Sequence, residues 1–209
     1  MAERRYLQSA ELRVEENDEG GAATIGGYAV LYNERSQLLW DFYEEIARGA
    51  FGGSLSGDVR ALWQHNADQV LGRTRAGTLA IWDDERGVAF RLTPPETTLG
   101  RDAVESIRRG DIDQMSFGFT VSADDWTTTD DGAPLRTVRS AELIEISPVT
   151  WAAYPQTEVG VRAIEIYGDQ PMIPDNLRAQ GSGDNSDDTQ ARARWAYRNR
   201  QIHLGAYNE

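Results

Sequence analysis

A serine with the surroundings of a nucleophile stands in the stretch 114–119, QMSFGF. From Ser116 onward the apolar residues recur with period two, so Phe117 and Phe119 point to one side of a predicted strand. Ser116 and Gly118 point to the other side, where the glycine leaves the hydroxyl uncrowded. The same pattern is typical of a structural strand serine whose hydroxyl bonds to a neighbouring carbonyl, and most strand serines serve in that way. The stretch alone therefore leaves both interpretations open.

The chain contains only two histidines, His65 and His203, which restricts any scheme of acid–base catalysis. A period-two pattern predicts a strand over residues 59–65, with His65 at its end and a loop over residues 66–68. A histidine at the edge of a site can serve as a general base near neutral pH. The alternative is a structural histidine whose hydrogen bonds are satisfied. His203 lies beyond a polar stretch, and we expect it to be an exposed residue of the tail.

Glu145 stands out among the 34 acidic residues because it alternates with Ile144 and Ile146. An acid among the core residues of a strand needs a partner, since burying an unpaired charge is costly. That partner is either a group of an active site or, if Glu145 lies at a sheet edge, one of the many arginines.

The elements that would position these residues are mainly strands. Apolar runs at 78–82 and 88–92, separated by an acidic turn with a glycine, predict a hairpin. A helical pattern covers residues 100–109, and Gly110 ends it. The fold class predicted is therefore β-rich α+β.

The segment after Ser116 is polar before it becomes apolar again. Residues 124–134 predict a mobile loop, and strands are predicted over 135–138 and 141–146, with Pro148 ending the second. Glu145 lies in the second of these predicted strands.

Composition divides the chain into three parts. Residues 1–168 have the apolar content of one domain with a sizeable core. Residues 169–188 are rich in Pro, Gly, Ser, Asp and Asn, which predicts a disordered linker. Residues 189–209 carry four arginines and predict a basic C-terminal tail, for which a helix is an option.

The composition of the whole chain argues against several classes of protein. A net charge of −13 is unfavourable for a nucleic-acid partner. The absence of cysteine excludes disulfides, thiolate metal sites and cysteine catalysis, and neither a histidine pair at helical spacing nor a phosphate-binding loop occurs. We therefore expect no metal and no cofactor. No signal-peptide core or membrane-spanning apolar run is present, so we expect a cytosolic protein, or one packaged from the cytosol, without a membrane partner.

Several short motifs occur together in a specific order and spacing. They are GYAVLYN at 27–33, EI at 45–46 with GAF at 49–51, QHN at 64–66 with LGR at 71–73, GTL at 77–79, Asp84 with GV at 87–88, GDI at 110–112 running into MSFGF at 115–119, and LIEISPVT at 143–150 with AYP at 153–155. Together they resemble the prohead protease family of tailed bacteriophages, over roughly residues 24–163.

The resemblance implies a serine endopeptidase with a compact β-barrel and a few packed helices, related in fold to the herpesvirus capsid maturation proteases. Carried over by motif, Ser116 is the nucleophile and His65 the base. The herpesvirus branch has a second histidine as third member, and here His203 is the only candidate and lies outside the match. We therefore assign the third position to Glu145, with Asp68 and Asp111 as rivals.

The resemblance also implies where the enzyme acts. Family members work inside the immature prohead, on scaffold or delta segments of the major capsid protein and on themselves. The protein itself is thus an expected substrate, and a homodimer is a further option. The alternative function is a catalytically inactive capsid-assembly or scaffold-binding β-domain of the same fold.

Overall fold

A computed structural model describes residues 3–7, 11–15, 22–36, 39, 42–150 and 171–177. Within these residues the chain is mostly strand, as predicted, with one α-helix instead of several and two short 3-10 helices, Thr74–Ala76 and Asp175–Leu177. In chain order the elements are β1 (Glu3–Leu7), β2 (Arg13–Glu15), β3 (Thr24–Leu31), β4 (Tyr43–Ile46), β5 (Arg60–Trp63), β6 (Asn66–Arg73), β7 (Leu79–Asp83), β8 (Gly87–Leu92), α1 (Thr98–Arg108), β9 (Gln114–Thr128) and β10 (Pro134–Val149).

The larger sheet is built around the antiparallel pair β9 and β10. Its order is β1-β9-β10-β5-β6, and β4 pairs with β10 as well. Both β4 and β5 run parallel to β10, β4 along Leu135–Val138 and β5 along Glu145–Ile146. Strand β10 therefore pairs with β4, β5 and β9, and Glu145 lies where β10 pairs with both β5 and β9.

The prediction of a mobile loop over 124–134 followed by two separate strands is only partly right, because only residues 129–133 lie between the strands. Strand β9 continues to Thr128, and β10 is a single strand that extends through Pro148. The polar segment stays in the sheet because opposite charges face each other across the pair. Arg136 Nε donates to Asp124 Oδ2 at 2.6 Å, and Arg139 Nε donates to Asp125 Oδ2 at 2.7 Å.

The smaller sheet has the order β2-β3-β8-β7 and contains the predicted hairpin, now bounded as β7 and β8. Buried side chains of both sheets form one hydrophobic cluster. In it the ring of Phe51 packs edge-on against Phe117 and Phe119, with ring centroids 6.0 and 5.9 Å apart. The aromatic face of the Ser116 strand is thus core, as the alternation predicts.

Helix α1 forms where the sequence predicts it. The Thr97 side chain caps its first turn by accepting from the Gly100 N–H, and Ala103 and Ile107 are buried against the core. Gly110 follows the helix with a φ of 78°, which glycine adopts without strain. In the described part of the chain, no helix combines the length and apolar composition needed to cross a membrane.

The predicted linker 169–188 and tail 189–209 lie outside the described residues, except for residues 171–177. His203 lies outside them as well.

Candidate active site

His65 lies at the tip of the β5–β6 hairpin, within a turn of two residues. Strand β5 ends at Trp63 and β6 begins at Asn66, so the predicted strand end at His65 and the predicted loop after it are both wrong. Gln64 and His65 both adopt left-handed backbone conformations, with φ of 54° and 60°. Two-residue hairpin turns require such angles and usually place Asn or Gly there, which is why the strand pattern did not reveal this turn.

The end of β10 holds this turn in place. The Gln64 N–H donates to the Pro148 carbonyl at 3.2 Å. The Gln64 side chain makes two bonds with Thr150: Nε2 donates to Oγ1 at 2.8 Å, and Oε1 accepts from the Thr150 N–H at 3.2 Å. Left-handed angles are costly for residues with a side chain, so these bonds of Gln64 stabilise the strained turn from which the imidazole projects.

The imidazole of His65 pairs with the carboxylate of Glu145. Nδ1 and Oε1 are 2.6 Å apart, and the exposed fractions of the two side chains are only 11% and 8%. An ionised carboxylate can only accept, so Nδ1 carries the proton of this bond. Nε2 is then the ring nitrogen that can exchange a proton with a reacting group. Glu145 Oε1 also lies 3.8 Å from Arg4 Nε, so the carboxylate has an arginine neighbour too.

Ser116 lies on β9, on the same face of the sheet as Glu145. In the antiparallel register Glu145 is opposite Gly118, and Ser147 is opposite Ser116. The Ser116 hydroxyl donates to the carbonyl of Arg5 at 2.8 Å, and the residue is completely buried. A hydroxyl bonded to a neighbouring carbonyl is what the structural interpretation of the serine predicts. The carbonyl belongs to strand β1.

Gly118 has a spatial role different from the one expected. A Cβ at this position would lie 2.8 Å from Glu145 Oε1, so the glycine makes room for the carboxylate and not only for Ser116. A bulge between Leu143 and Glu145 directs that carboxylate to this face while Leu143 stays opposite Phe119 in the core.

Ser147 is a polar residue of the site that the sequence reasoning missed. Its hydroxyl donates to Glu145 Oε2 at 2.6 Å. The signal was present in the sequence, because Ser147 is two residues beyond Glu145 and therefore shares its face of the strand. It was passed over because the next residue, Pro148, was taken as the end of the strand.

The two rival carboxylates lie elsewhere. Asp68 is exposed on β6, and Asp111 is 3.2 Å from the Nε of Arg109. Among the residues that the structure describes, no group of three His, Cys, Asp or Glu side chains is placed to hold a metal ion.

A buried histidine–carboxylate pair beside a strand serine is an arrangement typical of hydrolases with a serine nucleophile. A model of the caudovirus prohead serine protease family matches residues 8–169. The chain therefore belongs to the caudovirus prohead serine protease family. It is a serine protease of bacteriophage capsid assembly. A search of curated proteins found no match.

Among solved structures, that of the capsid assembly protease of bacteriophage T4 is similar to this chain. The TM-score is 0.42 at 13% sequence identity, with 71% of this chain and 99% of the T4 chain covered.

Proposed function

We propose that this protease is an endopeptidase in which Ser116 is the nucleophile, His65 the general base and acid, and Glu145 the carboxylate that orients the imidazole. The observation that carries the proposal is the 2.6 Å contact between His65 Nδ1 and Glu145 Oε1. It is supported by the register, which puts Ser116 on the neighbouring strand and on the face to which that carboxylate points.

The reaction is an acyl transfer in two steps. His65 Nε2 takes the proton of the Ser116 hydroxyl as Oγ attacks the scissile carbonyl, and returns it to the amine that leaves. Water then attacks the acyl-serine, giving its proton to Nε2, and the serine regains a proton when the ester breaks. Glu145 holds the tautomer with the proton on Nδ1 and stabilises the imidazolium that forms in each step.

The substrates we propose are scaffold or delta segments of the major capsid protein and the protease chain itself, cut inside the immature prohead. Membership of the prohead protease family supports this setting. A closed barrel related to the herpesvirus capsid proteases is part of the same proposal, and the two sheets around one core are compatible with it.

One observation favours a second function, a catalytically inactive scaffold-binding β-domain. The Ser116 hydroxyl is fully buried and donates to a backbone carbonyl, as in a serine that only stabilises the sheet.

Co-expression with the neighbouring major capsid protein separates the two functions. We expect the mass spectrum of the products to show defined cleavages with the natural chain, and none with Ser116→Ala or His65→Ala. Ser122→Ala is the matched control, since Ser122 is an exposed serine of the same strand β9. Near-normal cleavage by either of the first two variants would contradict the assignment, and no cleavage by the natural chain would favour the inactive domain.

A further inference from the structure

The hydroxyl of Ser147 lies between Glu145 and the backbone of His65, and it has no role in the proposed mechanism. Ser147 is completely buried on β10, directly opposite Ser116 in the register of β9 and β10. It lies on the face that Glu145 and Ser116 share, so its side chain is part of the same polar cluster.

Ser147 connects the two partners of the histidine–carboxylate pair. Its Oγ donates to Glu145 Oε2 at 2.6 Å and accepts from the backbone N–H of His65 at 3.3 Å. The two oxygens of Glu145 are thus divided, Oε1 toward the imidazole and Oε2 toward Ser147. Fixing one oxygen of a carboxylate fixes the plane in which the other accepts.

The second bond acts on the backbone of His65. At this residue φ is 60°, a left-handed conformation that persists only when its surroundings impose it. One hydroxyl therefore restrains both the carboxylate that orients the ring and the backbone from which the ring projects.

We infer that Ser147 is a positioning residue of this protease, which holds Glu145 and His65 in the geometry required for proton transfer at Nε2. The inference rests on the proposed function of the pair.

The test compares Ser147→Ala with Ser147→Thr, which keeps a hydroxyl. We expect Ser147→Ala to lower kcat roughly tenfold to a hundredfold with little change in KM, since a charge-assisted hydrogen bond is lost. Ser147→Thr should recover most of that loss, and Ser122→Ala should have no effect. Equal impairment of the Ala and Thr variants, or an unchanged kcat in a folded Ala variant, would overturn the inference.

An NMR measurement keeps this test independent of cleavage. The chain has only two histidines, so in a His203→Asn background every imidazole signal belongs to His65. We expect the Nδ1–H resonance of His65 to move or broaden in Ser147→Ala and to be retained in Ser147→Thr. An unmoved resonance in Ser147→Ala would overturn the role of Ser147, whether or not the chain cleaves a substrate. A shifted resonance, together with a natural chain that cleaves nothing, would contradict only the proposed function.

A second inference concerns strand β1 and rests on a different set of contacts. It pairs antiparallel with β9, with Tyr6 opposite Ser116 and Arg4 opposite Gly118. Its Arg5 carbonyl accepts the Ser116 hydroxyl proton, and its Arg4 guanidinium is near Glu145. With β1 paired to β9, the Ser116 hydroxyl is fully buried.

Buried ion pairs attach β1 to the rest of the sheet. Arg5 donates from Nε and Nη2 to the carboxylate of Glu44 at 2.5 and 2.9 Å. Glu3 accepts from Arg136 Nη1 and Nη2 at 2.7 and 3.1 Å. Arg136 also donates to Glu44, at 3.0 Å, so positive and negative groups alternate through the cluster.

We propose that β1 is an intramolecular cover that must separate from β9 before a substrate can reach Ser116. The proposal rests on Ser116 being the nucleophile. Weakening the attachment of β1 should then expose the serine without altering the histidine–carboxylate pair.

A fluorophosphonate probe measures this exposure as a rate of labelling at Ser116. We expect Arg5→Met to raise that rate at least about tenfold, because it removes both bonds to Glu44 while filling a similar volume. Arg13→Met is the matched control, since Arg13 is an exposed residue of β2 that pairs with Glu15. Equal labelling rates in natural chain and Arg5→Met, at unchanged circular dichroism, would overturn the cover, whereas no labelling of any folded variant would contradict the nucleophile itself.

Discussion

At the scale of single residues, the space left by Gly118 determines where the Glu145 carboxylate can lie. The missing Cβ would be 2.8 Å from Oε1, 3.1 Å from Cγ and 3.3 Å from Cδ of Glu145. Oε1 is the oxygen that accepts from His65 Nδ1. A methyl group at residue 118 would therefore displace the atom on which the orientation of the imidazole depends.

We predict that Gly118→Ala lowers kcat by roughly a hundredfold, because misplacement of a catalytic group by about 1 Å has that effect. The free energy of unfolding should also fall, since a displaced carboxylate loses part of its buried hydrogen bonds to His65 and Ser147. Gly53→Ala is the matched control, because a Cβ there meets no atom within 4 Å. Equal kcat values in the two variants would show that Oε1 does not orient the ring.

The carboxylate itself is tested by Glu145→Gln. We predict a fall in kcat of about 10⁴-fold, the effect of removing an orienting carboxylate from a serine protease triad. The control is Glu142→Gln, an exposed acid on the same strand β10. If Glu145 served only to pair with Arg4, the melting temperature would fall while kcat stayed unchanged, so both quantities are measured on each variant.

Sequence reasoning made candidates of Ser116 at the start of a predicted strand, His65 at the end of one and Glu145 within an apolar one. The resemblance to prohead proteases then gave these residues their expected roles. It could not give their mutual geometry, which depends on a left-handed turn at Gln64 and His65 and on a bulge before Glu145. Neither feature has a local signature here, since the turn lacks Asn-Gly and the bulge lies within an aliphatic run. Long-range pairing, not local preference, produces both.

At the scale of elements, the β5–β6 hairpin is the unit that places the imidazole, and its open end is closed by an ion pair. Arg73, the last residue of β6, donates through Nε to Asp58 Oδ1 at 2.5 Å and through Nη2 to Oδ2. The hydrogen bond from Arg73 holds the pKa of Asp58 below its usual range.

This shift predicts an acid-dependent contribution to stability. A lowered pKa in the folded state stabilises the fold above the unfolded pKa, near 3.9, and the stabilisation is lost as pH falls through the lower folded value. The melting temperature of Asp58→Asn should thus be below that of the natural chain at pH 7, and the difference should shrink below about pH 4.

Asp68→Asn provides the control for this series, since Asp68 is an exposed acid on the same hairpin. We expect its melting curve to follow that of the natural chain across the same pH range. A difference for Asp58→Asn that stays constant down to pH 2 would contradict the ion-pair explanation.

The strands β9 and β10 show where periodicity is informative and where it is not. Their apolar halves were predicted because one face packs in the core. The polar end of β9, residues 124–128, was taken for part of a loop, although it pairs with β10 through Arg136–Asp124 and Arg139–Asp125. Charged strands carry no hydrophobic alternation, so their pairing cannot be deduced from one sequence.

At the scale of the whole molecule, the buried ion cluster joins segments that are far apart in the chain. Glu3 and Arg5 are near the N-terminus, Glu44 is on β4 and Arg136 is on β10. In the sequence these residues look like ordinary surface charges. Burial lowers the pKa of Arg136, but hydrogen bonds and charge contacts with Glu3, Glu44 and Asp124 outweigh burial and raise that pKa above its usual range, which keeps the guanidinium charged.

The match to the prohead protease family ends at residue 169, and the remaining chain has a different charge. Residues 189–209 contain four arginines and one acidic residue, in a protein with a net charge of −13. A basic segment can dock on an acidic scaffold and so bring the protease into the assembling shell. We propose that the segment after Gly168 serves delivery and not chemistry.

Truncation after Gly168 tests this division of roles in two assays. The shortened protein should cut a scaffold peptide in solution with the kcat of the full chain, because every proposed catalytic residue precedes the truncation. It should be depleted from purified proheads, and replacing Arg192, Arg194, Arg198 and Arg200 by Gln in the full chain should reproduce that depletion. If the truncated protein is depleted from proheads but the Gln variant is not, the tail still serves delivery, but not through its arginine charges. Loss of peptide cleavage, or unchanged packaging after truncation, would show that the delivery role is wrong.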